Sequence, residues 1–206
     1  MLRVWGRTNS VNVQKVMWCC AELEIPYERI DAGMQFGVVN TPAYLALNPN
    51  ALIPTMDDDG FILWESNVIV RYLATRYAMG TLCPSDIRAR FAAERWMDWQ
   101  ATTLWPAFRA VFMGLVRTPP EKRDAAAIAT AQRETLRVLG ALDAQLAKTR
   151  FVAGEALTMG DIPVGASIHR CFVLGTEREQ LPTVARWYDE LQQRAAYRET
   201  IMLPLS

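Results

Sequence analysis

The chain has 206 residues, 51% of them apolar, and its 22 basic and 22 acidic residues cancel to a formal net charge of zero. That balance excludes a strong overall field, so we expect a small near-neutral partner, and neither nucleic acid nor an anionic membrane. No segment is apolar over the ~18 residues that a membrane span needs, and the N-terminus lacks a signal-peptide pattern. We therefore expect a cytoplasmic protein.

The four cysteines are Cys19, Cys20, Cys83 and Cys171. Their irregular spacing fits neither a disulfide framework nor a set of metal ligands, and His169 is the single histidine. We expect reduced thiols, no metal site, and a histidine that is packed or at the surface. Cys19 and Cys20 fall inside a predicted helix and are interpreted as packing residues, with Cys20 the better fit to its buried face.

Strands and helices alternate over the first 78 residues. Residues 2–5 alternate weakly and stop at Gly6, which predicts a strand, and a helical period follows the polar run 7–10. Ser10 or Asn12 would cap that helix. The next predicted elements are a strand over 27–30, a loop over 31–41, a short helix over 42–47, strands over 55–57 and 61–63 around an Asp-Gly turn, and a helix ending at Tyr77.

Everything after residues 79–85 has a helical pattern. Gly80 and Pro84 mark that stretch as a linker between a domain over 1–78 and a helical domain over 86–206. The predicted helices cover 87–113 with a kink at Pro106, 121–148, 162–173, 182–194 and a short terminal piece. Thr158 and Asp161 form an acidic capping box, in which each side chain would bond the other's free amide.

Three motifs carry a family resemblance over the whole chain: NPNALIPTM at 48–56, ESNVIVRYLA at 65–74 and TMGDI at 158–162. Together they resemble the glutathione transferase family. The stretches 4–7, 9–16 and 113–124 are most similar to a bacterial B-type, theta-like transferase that uses a serine. The resemblance implies a thioredoxin-like α/β N-terminal domain, an all-α C-terminal domain and a homodimer.

The resemblance also implies a glutathione site. An X-Pro bond is usually trans, but the family keeps the bond before Pro54 cis, so that the backbone of Ile53 pairs with the cysteinyl part of the tripeptide. A serine at a helix start is usually an N-cap, and Ser66 fits that role. The resemblance adds that Ser66 holds the γ-glutamyl carboxylate at the free amides of the helix, while Glu65 takes its ammonium group.

Ser10 matches the position of the family's catalytic hydroxyl, which donates a hydrogen bond to the glutathione sulfur. Asn12 and Asn9 are the alternatives if Ser10 only caps the helix. A free thiol titrates near ~8.5, and lowering that pKa by about two units takes roughly 2.7 kcal/mol of preferential thiolate stabilisation. Because the chain has Ser10-Val-Asn-Val13 where a dithiol enzyme has Cys-x-x-Cys, glutathione itself must supply the sulfur.

The chain departs from the family at the glycine end of the implied glutathione site. Many relatives have a polar residue where this chain has Leu52, so the glycine end of glutathione needs another partner, and Asn40 and Gln35 lie in the loop that usually contributes.

The electrophile pocket would lie between the domains. Its candidates are Trp105, Phe108, Arg109, Phe112, Met113 and Arg117, although each aromatic residue at helical spacing is more often part of the core.

The resulting prediction is a glutathione transferase that activates glutathione as thiolate and conjugates it to small electrophiles or dehalogenates them, a detoxification activity. Two alternatives remain. One is a non-catalytic binding protein with the same fold, which the missing polar residue at Leu52 favours. The other is a glutathione-dependent disulfide or peroxide reductase.

Overall fold

The computed structural model describes residues 1–205, and its first part is a four-stranded sheet. The strands are β1 (Leu2–Trp5), β2 (Tyr27–Ile30), β3 (Thr55–Asp58) and β4 (Phe61–Trp64), in the order β2-β1-β3-β4. β1 runs parallel to β2 and antiparallel to β3, and β4 is antiparallel to β3. Val4 pairs with Met56 across β1 and β3, and both side chains are fully buried.

Three helices belong to this part: α1 (Val11–Glu22), α2 (Pro42–Leu47) and α3 (Ser66–Tyr77). β3 and β4 each extend one residue beyond their predicted ends. Asp59 and Gly60 between them both have positive φ, 51° and 93°, which is typical of a type I′ hairpin turn. The predicted loop over 31–41 contains one 3-10 turn, Met34–Phe36.

The second part is helical. Its helices are α4 (Ile87–Trp99), α5 (Trp105–Phe112), α6 (Ala125–Leu146), α7 (Asp161–Val173), α8 (Pro182–Gln192) and α9 (Ala195–Ile201). A π-helical segment, Gln100–Leu104, joins α4 to α5 just before Trp105 and Pro106. Its wider turns accommodate Pro106, which has no amide hydrogen to donate within the helix. A second π-helical segment, Met113–Arg117, follows α5. The predicted long helix is thus continuous but locally unwound.

The predicted bounds of α6 and α8 were wrong, and α6 ends at Leu146 instead of residue 148. α6 begins at Ala125 instead of residue 121, because the Asp124 side chain accepts a 2.9 Å hydrogen bond from the amide of Ala127 and caps the helix there. Residues 120–122 form a separate 3-10 turn. α8 ends at Gln192, two residues earlier than expected.

The capping box at the start of α7 forms only in part. One carboxylate oxygen of Asp161 accepts hydrogen bonds from the amide (2.8 Å) and the hydroxyl (3.1 Å) of Thr158. The amide of Asp161 bonds the Thr158 carbonyl instead of the hydroxyl, which departs from the expected reciprocal pair. The other oxygen accepts from the amide of Val152 and Nε1 of Trp187. Burial raises the pKa of Asp161 to about 6, although the hydrogen bonds from these four donors act to lower it.

α1 packs against α3 in its own part and against α7 and α9 in the helical part. Trp18 of α1 makes an edge-to-face contact with Tyr197 of α9, at 4.7 Å between ring centroids. Asn67 of α3 donates a 2.7 Å hydrogen bond to the carbonyl of Met97 in α4. α1 therefore lies at the boundary between the two parts and packs against helices of both.

All four cysteines are buried and unpaired, and Cys19 is as fully buried as Cys20. Burial raises the pKa of Cys20 to about 12 and raises that of Cys19 well above its ordinary value. Both thiols therefore stay protonated and serve packing, as predicted. Within residues 1–205, no helix has both the length and the apolar character needed to cross a membrane.

Candidate active site

The loop before β3 is held by side chains that contact the carbonyl of Leu52. That carbonyl accepts hydrogen bonds from the hydroxyl of Tyr44 (2.6 Å) and from Nδ2 of Asn48 (2.9 Å). Both donors also contact Oγ1 of Thr55, at 2.8 Å and 3.1 Å. Tyr44, Asn48 and Thr55 are all buried. They fix the loop on either side of Ile53 and Pro54.

The Ile53–Pro54 peptide bond is cis, as the resemblance implied. Neither the amide nor the carbonyl of Ile53 has a hydrogen-bond partner among residues 1–205, although the Leu52 carbonyl next to them has two. An extended chain laid beside Ile53 would find one free donor and one free acceptor. The loop thus provides a backbone edge for a peptide-like ligand.

The start of α3 provides the second polar end of this region. Glu65 occupies the N-cap position with a positive φ of 70° and makes no side-chain cap, so the amides of the first turn stay free. Ser66 is the first residue of the helix and is buried. The interpretation of Ser66 as the N-cap was therefore wrong by one residue. An uncapped helix start with adjacent hydroxyl and carboxylate groups suits a zwitterionic ligand end.

A small cleft of about 50 Å³ connects these two ends. It is bounded by Asn12, Asn48, Asn50, Leu52, Ile53, Pro54, Trp64, Glu65 and Ser66. A second cavity of about 280 Å³ opens on the other side of Glu65 and Ser66, and it shares Asn12 with the first. The structure therefore brings together four predicted site residues, namely Ile53, Pro54, Glu65 and Ser66, with Asn12 beside them.

Ser10 stands at the N-cap position of α1, two residues before Asn12. Its hydroxyl makes no capping bond and has no partner among residues 1–205. Capping is thus not the role of Ser10, and Asn12, already inside the helix, does not cap it either. The side chain is only 9% exposed and does not line the small cleft, whereas Asn12 is exposed and does. A free hydroxyl at a helix start can donate to a nearby anion.

Arg7 and Arg117 lie near each other, and their proximity was not predicted from the sequence. Burial and the nearby Arg117 lower the pKa of Arg7. A methyl group built on Gly33 would lie 3.0 Å from Cδ1 of Ile53 and 3.5 Å from Nη1 of Arg7, so Arg7 reaches the vicinity of Ile53. Arg7 follows Gly6 at the end of β1, which is the signal that would have pointed to it.

The proposed electrophile residues lie in different surroundings. Trp105 is half-buried and lines the 280 Å³ cavity with Glu65 and Ser66. Phe108 and Phe112 are buried in the core, and the guanidinium of Arg117 lies 5.7 Å from the Phe112 ring centroid. Arg117 also contacts the sulfur of Met34 at 3.1 Å. Arg109 and Met113 are exposed, and Arg109 has no contact that ties it to the site.

The glycine-end candidates are at the surface. Leu52 is 62% exposed, and Gln35 and Asn40 are also exposed, with no hydrogen bond from either side chain in the described chain. Neither of these two lines the small cleft, so Asn40 as a ligand-binding residue stays a prediction.

Other ionisable residues have structural surroundings. His169 is buried and its Nδ1 lies 2.9 Å from the hydroxyl of Tyr188, so it is the packed histidine that was expected. Burial and the neighbouring Arg170 lower its pKa to about 4. Among residues 1–205, no group of three or more His, Cys, Asp or Glu side chains is arranged to hold a metal ion.

The first part of the chain combines a sheet of parallel and antiparallel strands with a cis-proline beside a polar cleft, which defines a thioredoxin-like domain. The helices that follow form an all-α domain. Two family models match the chain, "Glutathione S-transferase, N-terminal domain" over residues 9–76 and "Glutathione S-transferase, C-terminal domain" over residues 125–190. The chain belongs to the glutathione S-transferase family of enzymes.

Individual relatives agree with this assignment. The chain is 45% identical to "Glutathione S-transferase GstB" of Escherichia coli over the full length of both chains. It is 30% identical to "Glutathione S-transferase 3" of Zea mays, with 97% of this chain and 93% of the relative covered. A theta class glutathione S-transferase from Xanthomonas axonopodis pv. citri, solved with glutathione bound, superposes with a TM-score of 0.95 at 44% identity, covering 100% and 99% of the two chains.

Proposed function

We propose that this enzyme binds glutathione in the small cleft, stabilises it as thiolate, and adds the sulfur to a small electrophile or displaces halide from one. The observation that carries the proposal is the pair of free polar ends described above, at Ile53 and at Glu65–Ser66. The Xanthomonas relative at 44% identity contains glutathione, which supports the same ligand here.

In this proposal the tripeptide lies extended. Its cysteinyl backbone pairs with the amide and carbonyl of Ile53, its γ-glutamyl carboxylate meets Ser66 and the free amides of α3, and its ammonium meets Glu65. Arg7 is our candidate for the charge that the glycine end lacks at Leu52, because its guanidinium and Ile53 both approach Gly33. Asn40 remains a further candidate.

Ser10 would donate its free hydroxyl to the sulfur, with Asn12 as the alternative donor. The thiol proton leaves to water, and the thiolate forms a carbon–sulfur bond as halide departs with the electron pair of the broken carbon–halogen bond. A charge-assisted hydrogen bond contributes about 1.5–3 kcal/mol. The electrophile would approach between the two parts, near Trp105, Phe112, Met113 and Arg117, with Arg109 at the outer edge.

Calorimetric titration with glutathione and turnover of a chlorinated dinitrobenzene and of a haloacetate test the proposal. Ser10→Ala should lower kcat/KM about 10- to 100-fold, whereas Ser85→Ala, an exposed serine in the linker, should not change it. Retained turnover in Ser10→Ala with loss in Asn12→Ala would transfer the role to Asn12. Absence of glutathione binding at millimolar concentration would overturn the proposal.

We further propose a cytoplasmic homodimer and a detoxification role. Large apolar side chains are exposed on β4, α3 and α4, namely Phe61, Trp64, Val68, Ile87 and Phe91, and a second copy would cover them. Four unpaired cysteines suit a reducing compartment. Sedimentation equilibrium should give twice the chain mass of 23.3 kDa, and Phe91→Asp should shift the protein toward the monomer.

A further inference from the structure

Lys15 is a buried basic residue in the cavity next to Glu65 and Ser66, the residues proposed to hold the γ-glutamyl end of glutathione. It belongs to the second turn of α1 and is 3% exposed, and its side chain lines the 280 Å³ cavity together with Asn12, Glu65 and Ser66. Lysine is almost never fully buried without a charged partner. No carboxylate lies within ion-pairing distance of Lys15 among residues 1–205, which makes its position unusual for a purely structural residue.

A hydrogen-bonded chain holds Lys15 in place across the boundary between the sheet part and the helical part. Nζ donates to Oε1 of Gln100 at 2.8 Å, and Nε2 of Gln100 donates to Oγ of Ser167 at 3.0 Å. The Ser167 hydroxyl then donates to the carbonyl of Pro163 at 3.0 Å. All three side chains are buried, at 3%, 2% and 1% exposure. Only one donor of the Lys15 ammonium group is used in this way, so two remain for the cavity.

The charged groups around Lys15 come from three elements. Arg170 on α7 opposes its charge and Glu65 at the start of α3 favours it. Arg71 on α3 and Asp98 on α4 line the same cavity, where they are paired with each other. α9 also packs on α1, but Arg194, the residue before α9, is paired with Glu22 at the far end of α1, and the Tyr197 hydroxyl donates to the carbonyl of Gly165. Burial and Arg170 together lower the pKa of Lys15 to about 7.

We propose that Lys15 is a positioning residue for the γ-glutamyl end of glutathione, and that its neutral amine takes up a proton from solvent as the ligand's carboxylate reaches Ser66. This inference rests on the proposed function. A carboxylate arriving next to a buried lysine stabilises the charged form of that lysine. By linkage, each pKa unit that Lys15 gains on binding strengthens binding tenfold at pH values below the pKa of the free-state lysine, and this gain is lost as pH rises through the pKa of the bound state.

The test uses S-methylglutathione, which keeps both carboxylates and the ammonium group but has no thiol proton to release. Calorimetric titrations at pH 7.5, in buffers of different ionisation enthalpy, count the protons exchanged. We expect the wild-type enzyme to take up about half a proton per ligand and to bind about tenfold more weakly at pH 8.5 than at pH 6.5. His169 stays neutral throughout this range, because its pKa is lowered to about 4.

Two variants separate charge from packing. Lys15→Met should abolish the proton uptake and the pH dependence and bind about tenfold more weakly at pH 6.5. Lys15→Arg keeps a permanent charge, so it should bind without proton uptake and with an affinity that no longer falls toward pH 8.5. A role in packing alone would change affinity equally at every pH and would leave the proton count unaltered.

Several results would overturn the inference. Binding of S-methylglutathione by the wild-type enzyme without proton uptake would do so with no variant required, even if Lys15→Met failed to fold. Equal proton uptake in Lys15→Met would also do so. If the wild-type enzyme did not bind S-methylglutathione or glutathione at all, the proposed function would fail first, and the inference with it.

Discussion

Nη2 of Arg170, on α7, donates a 3.1 Å hydrogen bond to the backbone carbonyl of Asn9, in the loop that ends at Ser10. Nη1 of the same guanidinium donates to Oε1 of Gln14 in α1 at 2.8 Å. Arg170 is 1% exposed, and burial lowers its pKa to about 10. A helix of the C-terminal part thus sets the position of the loop that carries the proposed thiol-binding hydroxyl.

Replacing Arg170 should therefore affect catalysis as well as stability. Arg170→Met removes these two hydrogen bonds and a longer one to the carbonyl of Ala166, but it also removes a buried charge without an ion-pair partner among residues 1–205, and these effects partly offset each other. We expect kcat/KM to fall at least about fivefold while the free energy of unfolding changes by about 1 kcal/mol. Arg150→Met, which removes an exposed arginine paired with Glu190, is the control and should retain full activity.

Tyr44 is expected to support glutathione affinity through the Leu52 carbonyl. Tyr44→Phe removes the 2.6 Å bond to that carbonyl and the contact with Thr55, which should cost about 0.5–1.5 kcal/mol of stability. The Ile53 backbone would then be held less firmly, and calorimetry should show several-fold weaker glutathione binding. Tyr27→Phe on β2, whose hydroxyl has no partner within the described chain, should bind like wild type. Equal binding by both variants would refute the assignment.

His169 should make the protein less stable in mild acid. Its pKa in the folded chain is about 4, below the ordinary 6.5, so the unfolded chain binds a proton that the folded chain does not. The contribution of neutral His169 to the free energy of unfolding is therefore complete above pH 6.5. It falls by up to about 3 kcal/mol as pH falls toward 4. Urea denaturation across this range should show a shallower pH dependence for His169→Asn. Because this is the single histidine, a slope equal to that of wild type would contradict the prediction.

Arg117 and Arg109 provide a matched pair for testing recognition of an anionic electrophile. Arg117 is half-buried against Met34 and Phe112 and near Arg7, whereas Arg109 is exposed. Arg117→Met should raise KM for a haloacetate about tenfold and change KM for neutral chlorodinitrobenzene much less, because only the first substrate carries charge. Arg109→Met should leave both values near wild type. A loss that is the same for both substrates would point to packing.

Replacing the Asp161 carboxylate should lower the free energy of unfolding more than replacing the Asp124 carboxylate. Asp161 accepts four hydrogen bonds in a fully buried site, and Asp161→Asn would place an amide donor against other donors. We expect a loss of about 2–4 kcal/mol in the free energy of unfolding. Asp124→Asn should cost little, since asparagine also caps a helix and Asp124 has a single amide to satisfy.

Local patterns were sufficient for most of the secondary structure. The hairpin turn at Asp59 and Gly60 follows from the need for positive φ, and the start of α2 follows from Thr41 and Pro42, which form an N-cap and a first helical residue. The start of α6 was missed because Glu121 continued the apparent helix, although Asp124 is an equally visible cap. The π-helical segment before Pro106 was visible only as a kink.

The site was predictable only where a motif lies within one stretch. Ile53, Pro54, Glu65 and Ser66 fall within 14 consecutive positions, and the family resemblance identified them. Lys15 and Arg170, by contrast, reach their partners across 85 and 156 positions of sequence. Contacts of that separation depend on how α1 packs against α7 and on the π-helical segment that carries Gln100, and no periodicity in a single sequence encodes them.

The burial of the four cysteines has a consequence for the proposed reaction with electrophiles. Reagents that react with glutathione also alkylate protein thiols, and they do so through the thiolate. Burial keeps Cys20 protonated to a pKa of about 12 and raises the pKa values of Cys19 and Cys171 as well, while Cys83 is equally inaccessible. The fold would thereby protect the protein's own sulfur atoms from the electrophiles that, in the proposed function, react with the glutathione sulfur.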